Sequence, residues 1–222
     1  MSSLKTKLAQ KIEEHRPRTT RLLKEFGDVK VGEVTIEQVI GGARGIRSLV
    51  TDIAYLDPME GIRFRGYTIP ETMAALPKPE GKDYPYVEGF WYLLLTGEIP
   101  TKEEALELVE DFKKRSKVPE YVFDVLRALP KETHPMVMFS TAVLAMEKES
   151  KFAAFYEEGF NKMTAWESMY EDSTDLLARL PEIAAFIYRY KYKNGDIIAG
   201  DPNQDMGGNF AHMMGIDAPY DD

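Results

Sequence analysis

A mainly α-helical fold is predicted by three features of these 222 residues. Apolar side chains recur at helical spacing along most of the chain, start and stop residues bracket those runs, and strand-like alternation is confined to one short region near the front. The expected architecture is about eight helices with a small antiparallel strand element near residues 29–66.

Leu4, Leu8 and Ile12 form one apolar stripe on an opening helix, which Pro17 should end or bend. Thr19–Phe26 reads as a second helical segment stopped by Gly27, and His15 as a solvated or capping residue. Val29–Ile36 alternates weakly and leads into Gly41–Gly66, where Ile53, Tyr55, Ile62 and Phe64 have the period of half-buried strands. Between them, Asp57-Pro58-Met59-Glu60-Gly61 is a turn: proline presets φ and Gly61 accepts a positive φ. Arg44, Arg47, Arg63 and Arg65 stand in this stretch. Their guanidinium forks suit carboxylate or phosphate oxygens, and the competing reading is solvated arginines on an ordinary hairpin.

Further on, Pro70–Leu76 is a short helix and Lys78–Tyr86 a surface loop. Val87–Thr96 is apolar nearly all round and closed by Gly97, so core packing is favoured over an aromatic ligand platform. Thr101 and Glu104 form a capping box for a helix to about Lys114, with Leu106, Val109 and Phe112 inward and its Glu and Lys residues solvated. Pro119 opens another helix carrying Val122, Val125, Leu126 and Leu129, which Pro130 ends. His134-Pro135 heads a Met-rich helix through Met146, suited either to interior packing or to a face shared with a second copy. A long helix follows, with a capping box Thr164–Glu167 and an apolar set of Trp166, Met169, Tyr170, Leu176, Leu177, Leu180 and Ile183. It is kinked at Pro181 and stopped at Asn194-Gly195.

The formal charge of −9 argues against a nucleic-acid partner. Charge is uneven: residues 1–50 hold ten Lys and Arg against six Asp and Glu, so the basic excess lies beside the arginine stretch. No cysteine is present, which excludes disulfides and zinc-thiolate sites. No run is apolar enough to span a bilayer, and the start resembles neither a signal peptide nor a transit peptide, so a cytoplasmic protein, or an organellar one relieved of its leader, is expected.

Several chemical motifs fail. Gly42–Ser48 lacks the second glycine and the lysine of a phosphate loop, and Asp201–Asp205 lacks the glycine and the terminal glutamate of a calcium loop. The three histidines are too far apart for metal spacing, and Glu157-Glu158 and Glu171-Asp172 read as solvated pairs on different sides of a helix. Neither a catalytic nor a metal residue is assigned.

The wording of four segments adds to this. GGARGIRSLV with LDPMEGIRFRGYTIPE, then FWYLLLTGEIPT from Phe90, HPMVMFSTAVLAMEKES from His134 and AWESMYEDSTDLLARLPEIAA from Ala165 resemble, in the same order, the amino-terminal half of citrate synthases of the mitochondrial and some bacterial types. The resemblance runs from about Leu4 to the end. It implies that residues 1–222 are the amino-terminal part of a citrate synthase large domain, without the small catalytic domain. The implied parent is an acyltransferase of the tricarboxylic acid cycle that condenses acetyl-CoA with oxaloacetate, with no permanently bound cofactor and with CoA as part of a substrate. It also implies homodimer contacts through helices near 135–149 and 165–193. In the family the catalytic histidines and aspartate and the oxaloacetate arginines lie in motifs such as HSDHEGGN and GPLHG and in a carboxyl-terminal region, none of which occurs here. The chain alone is therefore expected to be inactive, and His134 and His212 do not substitute. By the same resemblance Arg44 matches an arginine near the CoA phosphates. Lys162 matches one that reaches the neighbouring subunit's CoA, keeping the charge but losing the bidentate fork. A non-catalytic assembly module and a 2-methylcitrate synthase fragment are the alternatives.

Overall fold

The computed structural model describes residues 2–46 and 49–216. Arg47 and Ser48, and the stretch from 217 onward, lie outside the described residues. The chain divides into two compact units, one of Met1–Ala75 with Tyr92–Glu98, the other of Leu76–Trp91 with Ile99–Asp222. Among the described residues there are ten α-helices and one two-stranded antiparallel sheet.

In the first unit, α1 (Ser3–Phe26) is a single helix of 24 residues that runs through Pro17. The expected break is absent, and Thr19–Phe26 is the continuation of the same helix. Ser2 caps it by accepting from the Lys5 amide, and Leu4 is fully buried while Leu8 and Ile12 are half-buried. Lys7 and Lys11 fasten the helix to Glu98 at 2.7 and 2.5 Å. Residues 29–34 form no strand. Instead Thr35 and Gln38 make a reciprocal capping box for α2 (Ile36–Ile40), because the two orphan amides find side-chain acceptors that an unpaired strand would not supply.

The strands are β1 (Ala54–Asp57) and β2 (Gly61–Phe64), with Tyr55 opposite Arg63 and Leu56 opposite Ile62. The turn between them forms as its residues predict. Asp57 accepts from the amides of Met59 and Glu60 at 2.8 and 2.9 Å, and Gly61 has φ +97°. Those two amides, Glu60's first, hold the Asp57 carboxyl below the usual carboxylate range. The helix α3 (Ile69–Ala75) follows, with Thr68 and Glu71 satisfying each other's amides at its start.

α4 (Val87–Thr96) spans the sequence boundary between the units, and Tyr92 and Leu93 are buried. Gly97 ends it with φ +76°.

The second unit holds α5 (Lys102–Arg115), α6 (Glu120–Ala128), α7 (Pro135–Ala145), a 3₁₀ turn at Met146–Glu149, α8 (Lys151–Gly159), α9 (Ala165–Tyr192) and α10 (Met206–Met214). Its core is formed by Val122, Phe123 and Leu126 of α6, Met138 and Ala142 of α7, and Ile183, Phe186 and Ile187 of α9. The α5 capping box is present, but the inward face is Ala105, Leu108, Val109 and Phe112, and Leu106 is 40% exposed. The stripe is rotated by part of a turn. Val125 is likewise on the outer side of α6.

α8 escapes the sequence reading, although Ser150 caps it locally by accepting from the Ala153 amide at 2.9 Å, and a second helix adds to that cap. Asp172 of α9 accepts from Ser150 Oγ, Lys151 N and Phe152 N at 2.6, 2.8 and 3.0 Å. The pair Glu171-Asp172 is therefore not solvated as expected: Asp172 caps α8, and Glu171 takes Arg115 at 2.8 Å. Glu157 and Glu158 are exposed. The Thr164 capping box of α9 is also absent. Thr164 has helical backbone angles and makes no side-chain cap, since Asn161 Oδ1 and the Asn161 carbonyl turn the chain there instead. α9 is continuous through Pro181 and buries Tyr170, Thr174, Ala178 and Ile183, while Met169 is exposed. Asn194 and Gly195 stop it with φ +55° and +78°. Buried Arg189 then ties the following segment down, donating to the Asp196 carboxylate at 2.6 Å and to the Met214 carbonyl at 3.2 Å.

Candidate functional site

The arginine stretch divides in the folded chain. Arg63 donates to Glu60 at 3.1 Å through Nε and to the Gly66 carbonyl at 2.8 Å. Arg65, at φ +49°, sends its guanidinium to the Leu94 carbonyl at 2.6 and 2.9 Å and to Asp52 at 3.1 Å. A cation on the last carbonyls of α4 also meets the negative end of the helix dipole. Arg63 therefore serves the hairpin and Arg65 ties it to α4, so for these two the reading as anion donors or as solvated side chains is corrected.

Arg44 is placed differently. It sits on the turn after α2, between Ala43 at φ +63° and Gly45 at φ +70°, and is exposed. The amides of Gly42, Ala43 and Ile46 in this turn already donate to the carbonyls of Val39, Gln38 and Ala43, so an anion at this turn would be met first by the Arg44 guanidinium. Lys162 is exposed on the Asn161–Thr164 turn before α9, in the second unit, whereas Arg44 belongs to the first. The structure does not bring the two together within one unit.

His134 is the N-cap of α7, its Nδ1 accepting from the Met136 amide at 3.2 Å. His15 is exposed on α1 and His212 lies on α10. Among the described residues, no group of three or more His, Cys, Asp or Glu side chains could hold a metal ion, and no helix is long and apolar enough to cross a membrane.

The site that the sequence reading missed is a cavity of about 260 Å³ in the second unit. Glu88, in the first turn of α4, is 1% exposed and lines it together with Lys113, Glu182 and Asp205. Glu88 Oε1 accepts from the Met206 amide at 3.1 Å, and Oε2 is buried without a hydrogen-bond partner. Burial pushes the Glu88 carboxyl above the ordinary carboxylate range; its own backbone amide, that of Met206 and Lys113 pull it back, and Asp205 adds to the rise. Glu182 is also raised, first by burial, against the Val118 amide that donates to it at 3.1 Å. One signal was available: Glu88 is the only Asp, Glu, Lys or Arg in the otherwise apolar Val87–Thr96 helix.

A stability prediction follows from the direction of that shift. Between the unfolded pKa and the higher folded one, the folded chain holds more protons, so stability falls as pH rises through that window and the full cost persists above it. Glu88→Gln removes the charge at every pH. Its urea midpoint should exceed that of the parent chain at pH 7, and the gap should close as pH approaches 4. A constant gap would show that burial of the charge is not the cause.

Comparison with known proteins bears on the whole chain. A family model described as citrate synthase, C-terminal domain, matches residues 42–222. The chain is 44% identical over 214 residues to citrate synthase 4, mitochondrial, of Arabidopsis thaliana, covering 96% of this chain and 45% of that one. It is 47% identical over 215 residues to the mitochondrial citrate synthase of Saccharomyces cerevisiae, covering 97% and 45%. Among solved structures, the citrate synthase of Pyrobaculum aerophilum superposes with a TM-score of 0.67 at 24% identity, over 87% of this chain and 46% of that one. The last likeness concerns the fold alone. The chain spans about half the length of the curated relatives it matches.

Proposed function

The chain belongs to the citrate synthase family, and from that premise we propose that it is the amino-terminal, scaffolding half of an acyltransferase that joins acetyl-CoA to oxaloacetate. In this reading it supplies the large-domain helices and a phosphate contact for CoA at Arg44, with Lys162 serving the neighbouring subunit's CoA. The reactive histidines, the aspartate and the oxaloacetate arginines belong to motifs that these 222 residues do not contain. Acid-base groups and carboxylate clamps act together, so a chain lacking all of them forms no citrate.

The observation that carries this reading is the contrast among the arginines. Arg63 is spent on Glu60 and the Gly66 carbonyl and Arg65 on the Leu94 carbonyl of α4 and on Asp52, while Arg44 is exposed on the turn after α2. A CoA phosphate supplies the anion, and a guanidinium binds it with two parallel donors. Pairing of two copies is supported by α7, which buries Met138 and Ala142 on one side and leaves Met136, Val137 and Leu144 exposed on the other. The relatives whose names place them in mitochondria favour the matrix as the compartment over the cytoplasm.

Isothermal titration with CoA tests the substrate contact. Saturable heat that Arg44→Ala weakens by about tenfold is expected, as for a charged hydrogen bond at a partly exposed position. No heat, or heat indifferent to Arg44, would overturn the contact and leave the assembly-only module, which the exposed α7 face also suits. Citrate formed by the purified chain from acetyl-CoA and oxaloacetate would refute the inactive-half reading.

A further inference from the structure

Glu88 presents a problem that neither the fold nor the proposed CoA contact solves. A carboxylate oxygen 1% exposed as part of its residue, with no donor to it, costs free energy unless something supplies a proton donor and an opposing charge. The nearby cation does not do so: Lys113 Nζ is drawn to Glu110 at 2.9 Å. The other carboxylates on the cavity already accept protein donors. Glu182 takes the Val118 amide, Asp205 the Gly208 amide at 2.7 Å, and Asp201 the Asn203 amide at 2.9 Å. Four carboxylates face two lysines, Lys113 and Lys117, around this space, so its surroundings are acidic on balance.

The rest of the wall is mixed: Ser116, Gln204 and Asn209 are polar, and Phe112, Pro181 and Met213 supply apolar surface. A volume of about 260 Å³ is below the range of drug-sized ligand pockets and suits a molecule of a few heavy atoms. No group of three carboxylate or imidazole ligands converges among the described residues, which disfavours a metal ion as the missing charge.

We propose that this cavity binds a small alkylammonium compound, its ammonium donating to Glu88 Oε2 and its carbon stem lying against Phe112, Pro181 and Met213. The ammonium supplies the hydrogen-bond donor and the charge that Glu88 lacks, and the stem covers the apolar part of the wall. The site lies wholly within the second unit and is independent of the Arg44 reading.

n-Butylammonium chloride is the probe, titrated at pH 7.5 into the ¹⁵N-labelled 222-residue chain and followed by backbone amide shifts. Saturable shifts at the Met206 and Gly208 amides with a Kd of about 1 mM are expected for a ligand of five heavy atoms. n-Butanol and pentanoate, with the same four-carbon stem and no positive charge, should give no saturable shift there. Glu88→Gln, which keeps the side chain's shape and is expected to remain folded, should weaken butylammonium binding at least tenfold. Absence of saturable shifts, equal binding of butanol, or binding untouched by Glu88→Gln would each overturn the proposal.

Discussion

Leu126→Ala should lower the stability of the second unit by about 3–4 kcal/mol, the range for deleting a large side chain from a site that cannot collapse. Leu126 is 0% exposed in the core cluster of α6, α7 and α9, with Met138 and Ile183, also 0% exposed, in the same cluster. Removing three carbons there leaves a void bounded by three helices. Leu106→Ala, by contrast, should cost less than about 1 kcal/mol, because that side chain is largely on the outer face of α5. Urea unfolding followed by tryptophan fluorescence measures both, since Trp91 and Trp166 both lie in the second unit. Equal losses at the two positions would mean that α5 is rotated from the orientation described here.

Arg115→Ala should cost about 2–3 kcal/mol in the same assay. The Arg115 guanidinium donates to Glu171 at 2.8 Å and to Asp175 at 2.6 Å, and lies 3.0 Å from Asp111, so one cation joins a carboxylate of α5 to two of α9. Burial lowers its pKa, and the charge of Asp111 with the acceptors Glu171 and Asp175 more than reverses this, so it is held above the ordinary guanidinium value. The four side chains are between 16% and 22% exposed, shielded enough that deleting the cation leaves carboxylates repelling one another in a poorly hydrated place. Lys151, which reaches Asp175 at 2.9 Å, keeps the loss from being larger. Arg115→Lys retains charge without the planar fork and should recover about half of the stability. A loss below about 0.5 kcal/mol for Arg115→Ala would make the network an ordinary surface one.

Much of this molecule was legible before folding. The turn at Asp57–Gly61, the Thr101 capping box, the buried Val87–Thr96 helix and the stop at Asn194-Gly195 all form as their residues dictate. Each is set by interactions within about four residues: a side chain on a neighbouring amide, a fixed φ at proline, a positive φ that glycine or asparagine tolerates. The wording of the Gly41–Gly66 stretch and three later segments likewise sufficed for the family.

What the chain could not show by itself depends on partners far away in sequence. Arg65 finds the Leu94 carbonyl 29 positions on, Asp172 caps a helix that begins 21 positions before it, and Arg115 meets carboxylates 56 and 60 positions later. Local pattern marks such residues only as charged, because whether a charge is solvated, paired or buried is decided when two helices meet. Glu88 is the sharpest case: an apolar helix announces burial, but only the arrival of α10 brings the Met206 amide to one carboxylate oxygen while the other stays without a partner. Short-range chemistry therefore determined most of the elements and the family, and tertiary packing decided which charges hold the fold and which stand ready for a ligand.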